Sequence, residues 1–250
     1  MVPPNYDAYL QVVIDEKIPV VETAGHINGL GKFVSRLKLE GRVVLHKCTS
    51  VKHAKSAQKL GVDMISLDGF DAAGHPGETD VPNWVLLNQA AMELDIPFIA
   101  SGGCATGRQL AAALALGAEG VNMGTRFMAT KEAPIHANVK QAIVDGGVDS
   151  TVLVMRSMRN TERVFKNQAA LDVLKLEQQF PGDFAKIKHL VAGSVYKQVF
   201  HETGNVDEGI WSAGMSMGLI RSAPTCDELI QSVMAEAVDV IQNRLVKAVL

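Results

Sequence analysis

The sequence predicts an α/β protein in which a parallel sheet is built from strands separated by helices. Short runs of β-branched and apolar residues alternate with helical patterns at a spacing of roughly 20–30 residues, as they do in βα units. The runs are apolar almost throughout, which is typical of strands buried on both faces of a sheet. Gly61, Pro97 and Gly117 fall where the predicted helices end, and these residue types are helix stop signals.

The individual elements follow from these runs. Strands are predicted at residues 19–24, 42–48, 64–67, 97–100 and 120–123. Helices are predicted at about residues 7–16, 31–39, 51–60, 83–94 and 107–116.

The pattern changes after Thr130. Residues 134–222 show helices and loops with few strand signals, and residues 226–250 have apolar side chains at the spacing of an amphipathic helix. We therefore expect an α/β domain formed by residues 1–133 and 226–250, into which residues 134–225 are inserted as a helical domain.

Composition and charge exclude several classes of protein. The chain has 250 residues, of which 47% are hydrophobic and 20% charged, so it is not a disordered, collagen-like or coiled-coil protein. Its formal net charge of -3 provides no strong positive field for nucleic acid or an anionic membrane. The three widely spaced cysteines argue against a disulfide framework or a structural metal site. No long apolar run or signal peptide is visible, and we expect a soluble cytoplasmic protein.

Two glycine-containing segments follow neighbouring predicted strands. Residues 100–107 read ASGGCATG, and the next strand ends in the sequence NMGTR at 122–126. Ligands of parallel α/β folds bind at the carboxyl ends of the strands, where glycine lets backbone N–H groups approach an anion. A single Gly-Gly pair is equally compatible with a plain tight turn. Two adjacent loops of this kind favour a phosphate site, as between the last two strands of a (β/α)₈ barrel.

Two further side chains lie near predicted strand ends. His75 lies in a loop of small residues at 67–77, and a neutral imidazole is well suited to accept a proton near pH 7. A lone histidine is more often structural, but its place beside Gly74 at a strand end favours a catalytic role. Lys47 closes another strand, where it could reach a ligand phosphate, a flavin ring or only solvent.

Several segments together resemble the nitronate monooxygenase family, formerly called 2-nitropropane dioxygenases, and in particular its bacterial branch that includes NADH:quinone reductases. Members are FMN-dependent (β/α)₈ enzymes. The matching segments are VVETAG (20–25), HKCT (46–49), GVDMISLDGFDAAGHPGE (61–78), IASGGCATGRQLAAALALGAEGVNMGTRFMAT (99–130), MRSMRNTERV (155–164) and GIWSAGM (209–215).

The resemblance implies roles for individual residues. His75 would be the catalytic histidine facing the flavin, Ala73 and Gly74 would contact the isoalloxazine ring, and Lys47 would bind the flavin from its strand end. The residues implied to hold the FMN phosphate are Ser101, Gly102, Gly103, Met123, Gly124 and Thr125, and Asn122 is a further expected cofactor-binding residue.

The sequence departs from the family pattern in two places. Asp68 stands where many members have glutamine, and DAAGH at 71–75 replaces EAGGH, which points toward the quinone-reductase branch. The family's opening strand with its flavin loop, and two further βα units, are not found. Since a closed barrel has eight strands, we expect a TIM barrel that lacks its first three βα units, as a fragment or a truncated paralogue.

These observations lead to one expected function and two alternatives. The expected function is FMN-dependent oxidation of alkyl nitronates with O₂ by a nitronate monooxygenase. The first alternative is an NAD(P)H:quinone reductase, and the second, of another class, is a non-catalytic fragment that has lost the cofactor. The expected partner is a small-molecule substrate, and a homo-oligomer is compatible with the sequence.

Overall fold

The computed structural model describes residues 5–25 and 29–249. Its main sheet has five parallel strands in the order β1-β2-β3-β4-β5. The strands are β1 (Val20–Ala24), β2 (Val43–Cys48), β3 (Met64–Asp68), β4 (Phe98–Ser101) and β5 (Val121–Asn122). The helices around them are α1 (Tyr6–Asp15), α2 (Leu30–Leu39), α3 (Val51–Lys59), α4 (Asn83–Glu93) and α5 (Gly107–Ala115).

The predicted parallel α/β arrangement is confirmed. Each of these strands and helices agrees with its predicted bounds to within one residue at either end. The sheet order leaves β1 and β5 as its two edges, so the described residues do not form a closed barrel. No helix within residues 5–25 and 29–249 is long and apolar enough to cross a membrane.

The main core lies between the sheet and its helices. Val34 and Leu37 of α2 and Leu86 of α4 pack with Ile65 and Leu67 of β3, and all five side chains are almost fully buried. Burial of apolar side chains of this size stabilises the fold by about 1.5–3 kcal/mol each. The core therefore fixes the strands whose carboxyl ends form the site described below.

The second half of the chain contains mostly helices. They are α6 (Thr125–Met128), α7 (Ala137–Asp145), α8 (Gln168–Gln179), α9 (Phe184–Val191) and α10 (Gly193–Gln198), a π-helical turn at Val199–Thr203 and a 3₁₀ turn at Met215–Leu219. The chain then continues through α11 (Cys226–Asp239), a π-helical turn at Val240–Leu245 and α12 (Val246–Val249). The α11 helix returns to α5, where the Gly107 N–H donates to the Glu236 carboxylate at 2.8 Å.

A β-hairpin lies within the segment that was expected to be helical. Strands β6 (Thr151–Val154) and β7 (Glu162–Phe165) pair antiparallel. The connection between them contains the 3₁₀ turn Arg156–Met158. Met155 and Arg159, on either side of this turn, adopt the left-handed conformation at φ 59° and 53°. Because these residues are not the glycine or asparagine that usually mark a hairpin turn, the hairpin was not predicted.

The hairpin holds the loop that follows β3. The N–H groups of Gly74 and Arg163 donate to each other's carbonyl oxygens at 3.0 and 2.6 Å. The buried guanidinium of Arg163 donates twice to the Phe70 carbonyl oxygen, at 3.2 and 2.9 Å, and lies 4.5 Å from the centroid of the Phe70 ring. A third bond, at 3.2 Å, reaches the Thr151 hydroxyl. Arg163 therefore contacts the loop that carries His75 on both sides of Ala72.

The hydrogen bonds of Arg163 lead to a stability prediction. In the variant Arg163→Met the Phe70 carbonyl loses both of its guanidinium donors in a buried position. We expect the free energy of unfolding, measured by urea denaturation, to fall by about 1.5–3 kcal/mol. Arg156→Met is the matched control because Arg156 forms only an exposed ion pair with Asp80. Losing this ion pair should lower the free energy of unfolding by no more than about 1 kcal/mol. Equal losses in the two variants would contradict the proposed anchoring.

Candidate active site

Three polar side chains from neighbouring strands meet at the carboxyl edge of the sheet. The parallel register pairs Lys47 with Ser66, and Asp68 with Ser101. The Lys47 ammonium lies 3.5 Å from the Asp68 carboxylate and 3.4 Å from the Ser101 hydroxyl. Glu22 of β1 adds a second carboxylate at 3.7 Å from the same ammonium. The predicted position of Lys47 at a strand end thus places it at the centre of a polar cluster.

Burial dominates the electrostatics around this cluster. It raises the pKa of Asp68, although the nearby Lys47 ammonium acts in the opposite direction. Burial, together with the Asp68 charge, raises the pKa of Cys48 to about 12. Burial and the Asp71 charge raise the pKa of Cys104 to about 11. Both thiols are therefore protonated near neutral pH, which makes them poor nucleophiles.

The loop between β4 and α5 has a conformation that requires glycine at two positions. Gly102 and Gly103 have φ values of 83° and 71°, in the left-handed region that side chains disfavour. A Cβ at Gly102 would lie 2.5 Å from the Cβ of Ala72, and one at Gly103 would lie 2.6 Å from the Cβ of Asp71. The β4–α5 loop therefore packs directly against the loop that follows β3.

Side-chain amides hold the carbonyl groups of this glycine loop. Asn83 donates to the carbonyl oxygens of Ser101 and Gly102 at 3.0 and 2.6 Å. Gln109 donates to the carbonyl oxygen of Gly103 at 2.6 Å. Within the described residues, the N–H groups of Gly103 and Gly124 have no acceptor. The loop is thus fixed through its carbonyls, and these N–H groups are left as hydrogen-bond donors for another molecule.

A cavity of about 140 Å³ lies at these donors. Gly124 borders open space, since a Cβ at this position would meet nothing within 4 Å. Of the residues predicted to hold a phosphate, Met123 is not part of the wall, and its role stays a prediction. The cavity is lined by Lys47, Asp68, Ala72, Ala73, Ser101, Gly102, Gly103, Cys104, Asn122, Gly124, Thr125, Gly214 and Ser216.

A second cavity, of about 1220 Å³, shares part of this wall. Lys47, Asp68 and Ala73 line both cavities, and His75 lines the larger one. The exposed imidazole of His75 is therefore accessible from the larger cavity. The arrangement combines a small pocket with unpaired backbone N–H donors, an ammonium group and a histidine within one continuous region. Gly74, the remaining predicted site residue, lies beside this region and forms the backbone bridge to Arg163.

Several residues of the site were not predicted as site residues. Gly214 lines the small cavity, and its N–H donates to the Thr125 hydroxyl at 3.0 Å. The Asp71 carboxylate accepts a hydrogen bond from the backbone N–H of Asn83. The Asp71 carbonyl oxygen accepts one from the backbone N–H of Met215. The small residues Ser212, Ala213 and Gly214 could have indicated close packing. The distant partners of Asp71 had no sequence signal. Within residues 5–25 and 29–249, no group of three potential metal ligands comes together.

Comparison with known proteins relates this geometry to several enzymes. The structure of FabK from Thermotoga maritima superimposes with a TM-score of 0.90 at 30% identity, covering 100% of this chain and 77% of that one. The (3aS,4S,5R,7aS)-5-hydroxy-7a-methyl-1-oxo-octahydro-1H-indene-4-carboxyl-CoA dehydrogenase of Mycobacterium tuberculosis is 29% identical over 252 residues, or 85% of this chain and 70% of the relative. The nitronate monooxygenase of Paraburkholderia phytofirmans is 27% identical over 231 residues, or 90% of this chain and 62% of the relative.

The chain also matches a model that describes a whole protein family. A model of the nitronate monooxygenase family covers residues 2–236. This range contains the polar strand ends, the glycine loop and the His75 loop, so the three parts of the candidate site lie inside the matched region. The chain belongs to the nitronate monooxygenase family.

Proposed function

We propose that this chain is an FMN-dependent oxidoreductase that oxidises alkyl nitronates with O₂. The family and the relatives indicate an oxidoreductase, and the cofactor and substrate are our inference. The observation that supports it best is the glycine-lined cavity. Its unpaired N–H donors at Gly103 and Gly124 adjoin the larger cavity that His75 lines.

The residues of the small cavity fit the phosphate end of FMN. Backbone N–H groups that lack a protein acceptor are suitable partners for phosphate oxygens. The hydroxyls of Ser101 and Thr125 line the same pocket and could donate to the remaining oxygens. Lys47, at the wall shared by the two cavities, would then lie beside the flavin and contribute a positive charge.

The protein's part in the reaction is to bind and orient the reactants. FMN supplies the electron-transfer chemistry when it is bound. The small side chain of Ala73 on the shared wall leaves space for a flat ring. His75, which is exposed to the larger cavity, can hold or accept a proton beside the substrate, because an imidazole changes its protonation state near neutral pH.

A second candidate is an NAD(P)H:quinone reductase. Two observations favour it. Asp68 occupies a position where many members of the family have glutamine, and its carboxylate lies at the wall between the two cavities. The larger cavity, at about 1220 Å³, also exceeds the roughly 300–1,000 Å³ typical of small-molecule sites. It could therefore take a ligand much larger than a simple nitronate.

Anaerobic reduction of the flavin distinguishes these functions. The purified protein is saturated with FMN and mixed, without oxygen, with either propionate 3-nitronate or NADH. Bleaching of the flavin absorbance by the nitronate supports nitronate oxidation. Bleaching by NADH alone contradicts it in favour of the second candidate. A protein that retains no FMN after gel filtration would instead be the non-catalytic relative.

Substitution of Gly124 tests the phosphate pocket. Gly124 has a negative φ of −90° and open space at its Cβ, so Gly124→Val should fold while its side chain obstructs the N–H donors. Loss of one or two hydrogen bonds to a charged group should weaken FMN binding by about 10- to 100-fold, measured by fluorescence titration. Gly120→Val is the control, because Gly120 also borders open space but precedes β5. Unchanged affinity in Gly124→Val would locate the phosphate elsewhere.

Substitution of His75 tests the proton-transfer role. We expect His75→Asn to lower the turnover number by roughly 10²- to 10⁴-fold, because asparagine can donate a hydrogen bond but cannot accept a proton. FMN content, read from the absorbance spectrum, should be retained. His189→Asn, an exposed substitution on α9, should leave turnover unchanged. A His75→Asn variant with full activity toward every substrate would remove this residue from the reaction.

A further inference from the structure

The turn between β6 and β7 stores backbone strain at its two ends. Met155 precedes the 3₁₀ turn and Arg159 follows it, both in the left-handed conformation that non-glycine residues rarely adopt. Such residues persist only where the surrounding structure holds them, and they concentrate at functional sites. The turn is therefore a candidate position for a functional side chain.

Carboxylates fasten this turn on both sides. The buried Glu177 of α8 accepts bonds from the N–H groups of Met155 and Ser157 at 2.6 and 3.1 Å, and from the Ser157 hydroxyl at 2.7 Å. On the other side, the N–H and hydroxyl of Thr161 donate to Glu78 at 2.9 and 2.6 Å. The backbone that carries Arg159 is thus held at both ends.

Several charged side chains line the larger cavity, and Arg159 is the one among them without a protein partner in the described residues. Lys47 and Asp68 are paired with each other, and both carboxylate oxygens of Glu78 bind Thr161. The exposed residue Arg159 lines the same cavity, and no acceptor for its guanidinium is found in the part of the chain that the structure describes.

The other two arginines of this segment have structural partners. Arg156 forms its ion pair with Asp80, and Arg163 is buried against Phe70. Three arginines therefore lie close together in the sequence, and the two with partners fix the segment. The exposed side chain of Arg159 has no such partner within the described residues, and it lines the cavity that His75 also lines.

We propose that Arg159 binds an oxyanion of the substrate, a carboxylate or a phosphate group, in the larger cavity. The planar guanidinium offers two parallel donors that match either group. This inference rests on the proposed function, since it concerns the substrate oxidised in that cavity. The substrate class is a reactant with an anionic group apart from its reacting carbon, either a carboxylated nitronate or a phosphate-bearing cosubstrate.

Calorimetric titration with two matched pairs of probes tests this proposal without turnover. The first pair is 3-nitropropionate and 1-nitropropane, which differ in the carboxylate. The second pair is 4′-phosphopantetheine and pantetheine, which differ only in the phosphate. The protein is saturated with FMN and titrated at mildly acidic pH, where the nitro compounds are not ionised at carbon.

We expect the unsubstituted protein to bind the anionic member of at least one pair more tightly than the neutral member. Arg159→Gln should weaken binding of that anionic probe by about 10- to 100-fold and leave the neutral probe unchanged. Arg159→Lys keeps the charge without the two-donor geometry, so its affinity for the anionic probe should fall less than that of Arg159→Gln. Lys166→Gln is the control, since it makes the same charge change at an exposed residue outside the cavity wall.

Each outcome decides the proposal. A loss confined to 3-nitropropionate identifies a carboxylate, and a loss confined to 4′-phosphopantetheine identifies a phosphate. A loss with both probes supports a site that accepts either oxyanion. Equal affinities within both pairs, or an unchanged preference in Arg159→Gln, would overturn the assignment. Because binding is measured without turnover, anion recognition through Arg159 in a protein whose flavin is not reduced by propionate 3-nitronate would refute nitronate oxidation alone.

Discussion

The register of the parallel sheet is the constraint on which the candidate site depends. Backbone hydrogen bonds between β2, β3, β4 and β5 place Lys47, Asp68, Ser101 and Asn122 at one edge. Since side chains alternate between the two faces of a strand, a slip of one residue would turn each of them to the opposite face. The buried side chains of β3, Ile65 and Leu67, oppose such a slip because it would remove them from the core that they form with α2 and α4.

The sequence was most informative where structure is determined locally. An apolar strand bounded by glycine or proline carries its own signal, and the main-sheet strands were predicted to within one residue. The position of Gly102 and Gly103 after a strand likewise indicated a tight turn or an anion-binding loop, and both residues have a left-handed backbone. The prediction failed where a residue's structure depends on a distant partner. The bonds of Asn83 to the glycine loop and of Arg163 to Phe70 join residues that no sequence pattern connects.

The segments that carry the family resemblance have identifiable structural roles. Within residues 155–164, Thr161 and Arg163 fasten the loop that bears His75. Within residues 209–215, Trp211 stacks on Phe165 with ring centroids 4.5 Å apart, and Gly214 contacts the Thr125 hydroxyl. Both segments lie outside the main sheet, yet they support the loops at its edge. The half of the chain that is rich in helices therefore contributes to the geometry of the site.

The two buried cysteines have a consequence for the durability of a site that is proposed to react with oxygen. Peroxide attacks the thiolate form of cysteine rather than the thiol. With pKa values of about 12 and 11, Cys48 and Cys104 remain thiols even though Cys104 lines the small cavity. In the proposed oxidation of nitronates, any hydrogen peroxide released beside them would meet two unreactive sulfur atoms. The burial that stabilises the core would thereby also protect the catalyst from inactivation by its own reaction.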